Sequence, residues 1–433
     1  MPTLSVVMIV KNEAHCLAEC LGSVRSIADE IVIADTGSTD GTVAVARRFG
    51  AKVFSIEWRH DFAEARNHSL EAATGDWLLH LDADEVLDPE GAARIRALVD
   101  ADGYGASAIE VTLANYCNAP RAWRWTPAHP NDPWARGRSG YIAVPLLRLF
   151  RNRCGYHYRE PVHENITESV LEAGGIVRAE PIVIHHYGYG GDAAPKGHVY
   201  LEIARRKAAQ RPRDAKAWHD LAEQLLSLNQ TAEAESAARR ALEVEPTHLG
   251  AATTLGNILL NRGSLDEARA LFEALEAAGT SPPHVVTALA AIACHQGRVE
   301  EAIHRLEAVI EAAPHTIMAR LYYARALDLS GRAADARRQL EAALAIAPAL
   351  TELQNRAEAH RLRCDGEHEY RSGHTQPALG TLVRALKLDP EDPVIHLALG
   401  VVLEALDQAP AADKSFTRAC RLASSLKDRR KLL

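Results

Sequence analysis

Apolar and polar positions follow two regimes along this chain, which change over near residue 195. In the first regime, short apolar runs alternate with helical patterns. Leu4 to Val10 is a continuous apolar run, too short for a lone helix, and reads as a buried strand. Asn12 stands as the N-cap of a helix running to about Val24. Glu30 to Ala34 predicts a second buried strand. It ends in the turn-forming string Asp35-Thr36-Gly37-Ser38-Thr39-Asp40-Gly41-Thr42, and a helix follows to about Phe49. Lys52 to Ser55 is a third short strand. Asp61 caps a helix through Ala73, Gly75 ends it, and Trp77 to Leu81 predicts a fourth buried strand.

Four strands with helical crossovers in roughly 80 residues predict a Rossmann-like parallel sheet. Beyond Asp88 the pattern changes. A helix over Glu90 to Asp100 leads to an alternating strand near Ser107 to Leu113, and Val144 to Phe150 and Pro181 to Ile184 predict further strands. Between them, Tyr116 to Gly140 shows little periodicity, with four prolines and half of the chain's tryptophans, Trp123, Trp125 and Trp134. Gly190, Gly191 and Pro195 mark a boundary.

The second regime is helical and rich in Ala, Leu, Glu and Arg. It repeats with a period of 34: Ala234, Ala268, Ala302 and Ala336 keep one phase, as do Leu221, Leu255 and Leu289. Pro246, Pro314 and Pro348 share another, with Thr280 in the proline slot of the second repeat. After an irregular stretch of eight extra residues the phase resumes in Ala378 with Ala412, Leu382 with Phe416 and Ala385 with Ala419. Small residues let two helices approach and the proline stops the second, which is the tetratricopeptide pattern. Such helix pairs stack into a superhelix whose concave face holds peptides or proteins; a scaffold or dimerisation arm is the alternative.

The predicted organisation is therefore an α/β domain over residues 1–195, a linker helix over 196–216 and an all-α tetratricopeptide superhelix of about six helix pairs over 217–433. A net charge of −8 and a pI near 6.2 argue against non-specific nucleic-acid binding. The opening apolar run has no basic region before it and is shorter than a signal peptide core or a membrane span, and no other stretch reaches span length. Seven scattered cysteines fit a cytoplasmic protein with reduced thiols, and Cys16 and Cys20, one helical turn apart, read as helix packing rather than a zinc site.

Candidate chemistry gathers at Asp82-Ala83-Asp84-Glu85, where the fourth strand stops. Ligands in open α/β sheets bind outside the carboxyl ends of strands. Carboxylates so crowded repel unless a cation neutralises them, and a hard divalent ion shared with substrate phosphates fits; a plain turn or helix start fits equally well.

The flanking motifs decide between these. L-S-V-V-M-I-V-K-N-E, I-V-I-A-D-T-G-S-T-D-G-T, A-R-N-H-S-L and G-D-W-L-L-H-L-D-A-D-E, in that order, resemble the nucleotide-sugar-binding half of family 2 glycosyltransferases of the GT-A fold. The rest of the domain and the fused repeats are similar to the branch that includes bacterial peptide S-glycosyltransferases and lipopolysaccharide-core glucosyltransferases. The resemblance implies a nucleotide-sugar site at Val10, Asn12, Glu13, Asp35, Thr36, Arg66, Asp82 and Ala83. It departs from the family at Thr36, where many members carry a second acid. It also implies a metal, Mn²⁺ or Mg²⁺, on Asp84, completed by a late histidine; His186, just before Tyr187-Gly188-Tyr189, is preferred over His185. Glu85 either serves this site or caps the next helix. An inverting transfer needs a base near the acceptor, and Glu164 after His163 is the first candidate, with Glu160 second. Trp123, Trp125 and Trp134 lie where the family carries acceptor-binding loops, and the segment reads as a lid that orders on donor binding.

The expected function is a metal-dependent inverting glycosyltransferase acting from a nucleotide-diphosphate sugar, UDP by family habit. Its acceptor is a Ser, Thr or Cys side chain in a peptide or protein recruited by the repeats. A lipopolysaccharide-core or surface-polysaccharide acceptor is the second reading, and a non-catalytic repeat scaffold with a degenerate transferase domain the third. The repeats also offer a homodimer surface.

Overall fold

The computed structural model describes the chain apart from residues 120–124, 130, 189–193, 349 and 427–433, and apart from the side chains of residues 194–196 and 425. The chain divides into two compact units. The first takes Met1–Ala119 and Ala128–Val244; the second takes Glu245–Leu433 with the described part of Pro120–Pro127.

In the first unit, strands β1 (Leu4–Val10), β2 (Glu30–Asp35), β3 (Lys52–Ser55) and β4 (Trp77–His80) run parallel in the order β3-β2-β1-β4. Helices α1 (Leu17–Val24), α2 (Thr42–Arg48) and α3 (Phe62–Ala72) make the crossovers. Both faces of this sheet are covered, which is why its strands read as continuous apolar runs rather than as an alternation. Val6 and Met8 of β1 pack with Leu17 and Leu21 of α1, while Val7 packs on the other side with Leu70, Leu78 and Phe150.

The chain continues through β5 (Glu85–Leu87), α4 (Pro89–Asp100), β6 (Ala108–Cys117), β7 (Trp125–Pro127), β8 (Gly140–Arg151), α5 (Thr167–Glu172) and β9 (Val177–His186). The sheet extends from β4 in the order β8-β6-β9-β5. Strand β8 is antiparallel to β4 and β6, β9 is parallel to β6, and β5 is antiparallel to β9. The first four strands are thus parallel as predicted, and the second half of the sheet is mixed.

Several expectations are corrected. Asn12 does not cap α1: that helix begins at Leu17 behind Cys16, while Asn12 takes a left-handed conformation with φ 57°. Its side chain instead binds across the site, as described below. Strands β6, β8 and β9 run beyond their apolar cores: Ala114–Cys117 of β6 pairs with Gly140–Ala143 of β8, and Val177–Ala179 of β9 pairs with Ala108–Glu110 at the other end of β6. The short β5 and α5 lie in stretches too brief for periodicity to reveal. Cys16 and Cys20 pack against one core, as expected, though Cys16 lies just before the helix and is only partly buried. Cys20 is buried in α1, whereas the Cys16 thiol lies 3.4 Å from a Glu13 carboxylate oxygen, with His15 close by.

Helix α6 (Ala194–Gln210) opens the helical region, followed by α7 (Ala215–Ser227) and α8 (Thr231–Val244). In the second unit come α9 (Leu249–Arg262), α10 (Leu265–Ala277), α11 (Pro283–His295), α12 (Val299–Ala312), α13 (Ile317–Leu329) and α14 (Ala333–Ile346). Then follow α15 (Thr351–Arg371), α16 (Thr375–Leu388), α17 (Pro393–Ala405) and α18 (Ala409–Leu422). The phase-keeping alanines Ala234, Ala268, Ala302, Ala336, Ala378 and Ala412 are all buried. The irregular stretch of eight extra residues is no loop. It is absorbed by α15, which at 21 residues is about two turns longer than its neighbours. No helix among the described residues is long and apolar enough to cross a membrane.

Candidate active site

Parallel strands deliver their carboxyl ends to one edge. The register Val10↔Asp35 sets the ends of β1 and β2 side by side, and β4 joins them with Val7 opposite His80. The acidic turn therefore opens beside the Asp35 loop. The chain then returns at once as β5, whose pairing with β9 sets Glu85 opposite His186 and Val86 opposite His185.

That pairing brings Asp84 to His186: the carboxylate oxygen and Nε2 are 3.4 Å apart, and both side chains are about one-fifth exposed. On a strand, neighbouring side chains face opposite ways. His185 accordingly turns to the other side, where it meets Tyr116 at 3.0 Å and Asp88 at 3.4 Å and stacks on Trp134. Asn115, opposite His186 on β6, orients the ring. Its amide nitrogen donates to the Ile142 carbonyl at 3.1 Å, so its oxygen faces His186 Nδ1 at 2.6 Å. The neutral ring is thus protonated on Nδ1 and aims its Nε2 lone pair at Asp84, the arrangement in which histidine binds metals.

The separation suits two adjacent ligands of one ion, which lie about 3–3.5 Å apart for bonds near 2.1 Å. Burial disfavours a charge on His186, yet Asp84, Glu85 and Asp82 outweigh it and hold its pKa above the ordinary value. The same carboxylates would favour a metal cation at that place. Gly188 completes the cradle, because a Cβ there would overlap the Asp84 carboxylate and come within 2.9 Å of His186 Nε2. The residues present fit a divalent cation.

Behind this pair lies a buried charged set. Asp82 accepts from Arg66 Nη1 at 2.9 Å and sits 3.7 Å from Arg148, and Arg66 Nε donates to Glu164 at 2.6 Å. Arg148 donates to Glu85 at 2.5 Å and to His80 Nδ1 at 2.8 Å, and the Tyr158 hydroxyl meets the same nitrogen at 2.7 Å. Burial and the two guanidinium groups hold the His80 pKa well below its usual value, so the ring is neutral. Burial raises the Asp82 pKa, but Arg66, His80 and Arg148 outweigh it and keep the carboxyl well below the usual range. Glu85 goes the other way: burial, opposed by Arg148 and reinforced by Asp82, pushes it to about 7. Asp82 and Glu164 keep an outlet from this set, with 31 % and 15 % of their side chains exposed.

The predicted residues can now be placed. Asp82, Asp84, Arg66, Glu164 and His186 gather around the end of β4. Arg66, expected to reach a donor, is buried and bridges Asp82 and Glu164. Glu85 does not cap the next helix: its carboxylate accepts from the Asp82 amide at 2.9 Å, while Asp88 caps α4 by accepting from Gly91. Glu160 turns away to Lys207, at 2.7 Å, and to Arg211. Asp35 accepts from the Gly37 and Ser38 amides and shapes its loop, and Asn12 ties that loop to β1 by accepting from Thr39 at 2.8 Å. Thr36 is buried with its amide on the Val10 carbonyl, Glu13 donates its amide to Thr42, and Ala83 is buried in the acidic turn. Trp123 lies outside the described residues. Trp125 is buried in β7, and Trp134 stacks on His185 with centroids 4.4 Å apart.

Sequence reading missed His80, Asn115, Arg148, Tyr158 and Gly188. For Arg148 a signal was present, a lone charge inside Leu146-Leu147-Arg148-Leu149-Phe150, which a buried strand admits only with a partner.

Residues 5–156 match the family described as Glycosyl transferase family 2, and residues 225–292 and 293–362 each match Tetratricopeptide repeat. A TPR repeat-containing protein of Synechococcus elongatus is 31 % identical over 439 residues, covering 97 % of this chain and 92 % of that relative. An uncharacterized glycosyltransferase of Rickettsia felis is 39 % identical over 90 residues, 21 % of this chain and 31 % of the relative. The SPbeta prophage-derived glycosyltransferase SunS of Bacillus subtilis is 34 % identical over 96 residues, 22 % and 23 % of the two chains. The chain thus spans less than a third of the length of these two glycosyltransferase-named relatives. Among solved structures it is similar to YrrB, a TPR protein with an unusual peptide-binding site, with TM-score 0.34 and 19 % identity over 48 % of this chain and 99 % of that one. The chain belongs to the family that joins an N-terminal family 2 glycosyltransferase domain to C-terminal tetratricopeptide repeats.

Proposed function

We propose that this chain is a metal-dependent, inverting hexosyltransferase. It moves a sugar from a nucleotide-diphosphate donor, a UDP-sugar first, to a Ser, Thr or Cys side chain of a peptide or protein recruited by the repeats. The observation that carries the reading is the Asp84–His186 pair, 3.4 Å apart and oriented by Asn115, next to an ionised Asp82 at a strand end. Asp84 and His186 would hold Mn²⁺ or Mg²⁺, and a carboxylate with an imidazole suits Mn²⁺ at least as well. The bound ion would supply Lewis-acid neutralisation of the leaving diphosphate.

This chain's own residues do the rest. Asp82, kept ionised by Arg66, would orient the donor on its ribose side. Glu164 would accept the proton of the attacking hydroxyl or thiol. Arg66 holds both carboxylates, so the donor-side and acceptor-side groups share one buried support. A thiol acceptor asks less of Glu164, because its own pKa lies nearer neutrality. The peptide-holding habit of tetratricopeptide grooves favours a polypeptide acceptor over a glycan.

The test is to incubate the full chain with UDP-, GDP- and dTDP-sugars and Mn²⁺, Mg²⁺ or EDTA, and to measure sugar release. Slow, metal-dependent cleavage of one donor is expected, lost in Asp84→Ala. Absence of both cleavage and nucleotide binding would overturn the reading.

A further inference from the structure

Between β8 and α5 the chain carries Tyr158 and Glu164 on a segment without regular structure, and its shape is fixed from several sides. Asn67 grips Tyr158 by the backbone, accepting from its amide at 2.7 Å and donating to its carbonyl at 3.0 Å. Arg159 and Asn165 exchange both backbone hydrogen bonds at 3.0 Å, and Phe62 donates to the Pro161 carbonyl. These bonds close residues 160–164 into a small loop. Inside it, Glu160 sits at φ 77° and His163 at φ 55°, left-handed conformations that a side chain adopts only at a cost. The two carboxylates of the loop leave it toward different partners: Glu164 takes Arg66, and Glu160 takes Lys207 and Arg211.

Lys207 is the unusual partner. Its side chain is 1 % exposed, and its ammonium lies 2.7 Å from Glu160 and 2.9 Å from Asp220 of α7. A buried ammonium is tolerated only when paired, and here its two counter-charges come from the loop and from the next helix. Burial would lower its pKa, but the two carboxylates raise it above the ordinary value. One of the loop's two strained residues, Glu160, is thus held by the buried cation.

We propose that Lys207 is a positioning residue for the transfer reaction: through Glu160 it holds the 160–164 loop in the form that sets Glu164 on Arg66 and Tyr158 on His80. This rests on the reading of Glu164 as the acceptor-side base. It makes α6, the first helix after the sheet, a working part of the catalytic unit rather than a spacer. It also separates the two acids of the loop, Glu164 acting on the acceptor and Glu160 acting only through its hold on the backbone.

The experiment compares full-length wild type with Lys207→Met, Lys207→Arg, Glu160→Gln and the Lys207→Met/Glu160→Gln double variant. Donor cleavage is read as separate kcat and KM values. Lys207→Met should lower kcat at least about tenfold with donor KM within about twofold, and Lys207→Arg should recover it to within about threefold. Glu160→Gln should match Lys207→Met, and the double variant should be no worse than either, as for two residues acting through one contact. A kcat within twofold of wild type in Lys207→Met, or a Glu160→Gln loss far exceeding the Lys207→Met loss, overturns the proposal. If Lys207→Met does not fold, Lys207→Arg and Glu160→Gln carry the same comparison. Hydrogen exchange supplies a readout independent of activity: the Arg159 and Asn165 amides should exchange faster in Lys207→Met while the sheet stays protected. Unchanged exchange there overturns the proposal. A wild-type chain that cleaves no donor overturns the parent reading instead, and the exchange response then decides the hold of Lys207 on the loop.

Discussion

His186 depends on Asn115. The amide can face the imidazole in only one sense, because its nitrogen is taken by the Ile142 carbonyl, and that fixes which imidazole nitrogen carries the lone pair. Outer partners of this kind are typically worth about 10–100-fold in metal affinity. Asn115→Leu should therefore raise the Mn²⁺ concentration for half-maximal donor cleavage by about that factor, at unchanged donor affinity. A metal titration that superimposes on wild type would sink the idea. Gly188→Ala tests the same cradle from the other side. The added methyl would overlap the Asp84 carboxylate, so Mn²⁺ binding followed by electron paramagnetic resonance should weaken at least about tenfold with little change in Tm. The sequence alone pointed to the acids and to the preferred histidine, because both lie in contiguous motifs. Asn115 and Arg148 were hidden, since each is a single polar residue in a strand and gains its meaning only from a partner far along the chain.

Among the elements, the repeats show a rule finer than the alanine phase. Gly256, Gly366 and Gly400 each face the large residue sixteen positions later, Phe272, Leu382 and Phe416. A Cβ at Gly400 would lie 2.6 Å from the Phe416 ring, one at Gly366 would lie 2.8 Å from Leu382, and one at Gly256 would overlap Phe272. The first helix of each such pair gives up its side chain so that the second can seat its ring or branch directly on the backbone. Helix propensity alone favours Ala over Gly by about 1 kcal/mol in a helix interior. Overpacking costs about 1–3 kcal/mol and should win here, so Gly256→Ala should destabilise the repeats by about 1–2 kcal/mol in urea unfolding followed by helical ellipticity. A stabilised variant would show that the contact relaxes freely. The period of 34 was legible because alanines and prolines recur in it. The length of α15 was not, because its buried face carries His360, Arg363 and Gly366 where an apolar stripe would have announced a helix.

Across the whole molecule, the parts of the chain before and after residue 219 should respond differently to pH, and the reason is that same polar face. On α15, the imidazole of His360 donates to Asp328 of α13 at 3.1 Å, and Arg363 donates to the same carboxylate at 2.7 Å and to Glu367 at 2.6 Å. Cys364 lies 4.0 Å from the other imidazole nitrogen. Burial lowers the His360 pKa and Arg363 adds to that, but Asp328 and Cys364 prevail and raise it to about 9. The folded value lies above the unfolded one, near 6.5, so the protonated ring stabilises the fold fully below pH 6.5. That contribution is lost as pH rises through 9, and for a group this buried it amounts to about 3 kcal/mol at most. All six tryptophans precede residue 219, whereas most of the helix lies after it, so indole fluorescence and helical ellipticity report on different parts of the chain. Between pH 6.5 and 9.5 the urea midpoint by ellipticity should fall, that by fluorescence should move less, and His360→Gln should flatten the difference by starting from the lower value. Equal ellipticity midpoints at the two pH values, in a wild-type chain that remains folded, would mean that Asp328 is served as well by Arg363 alone.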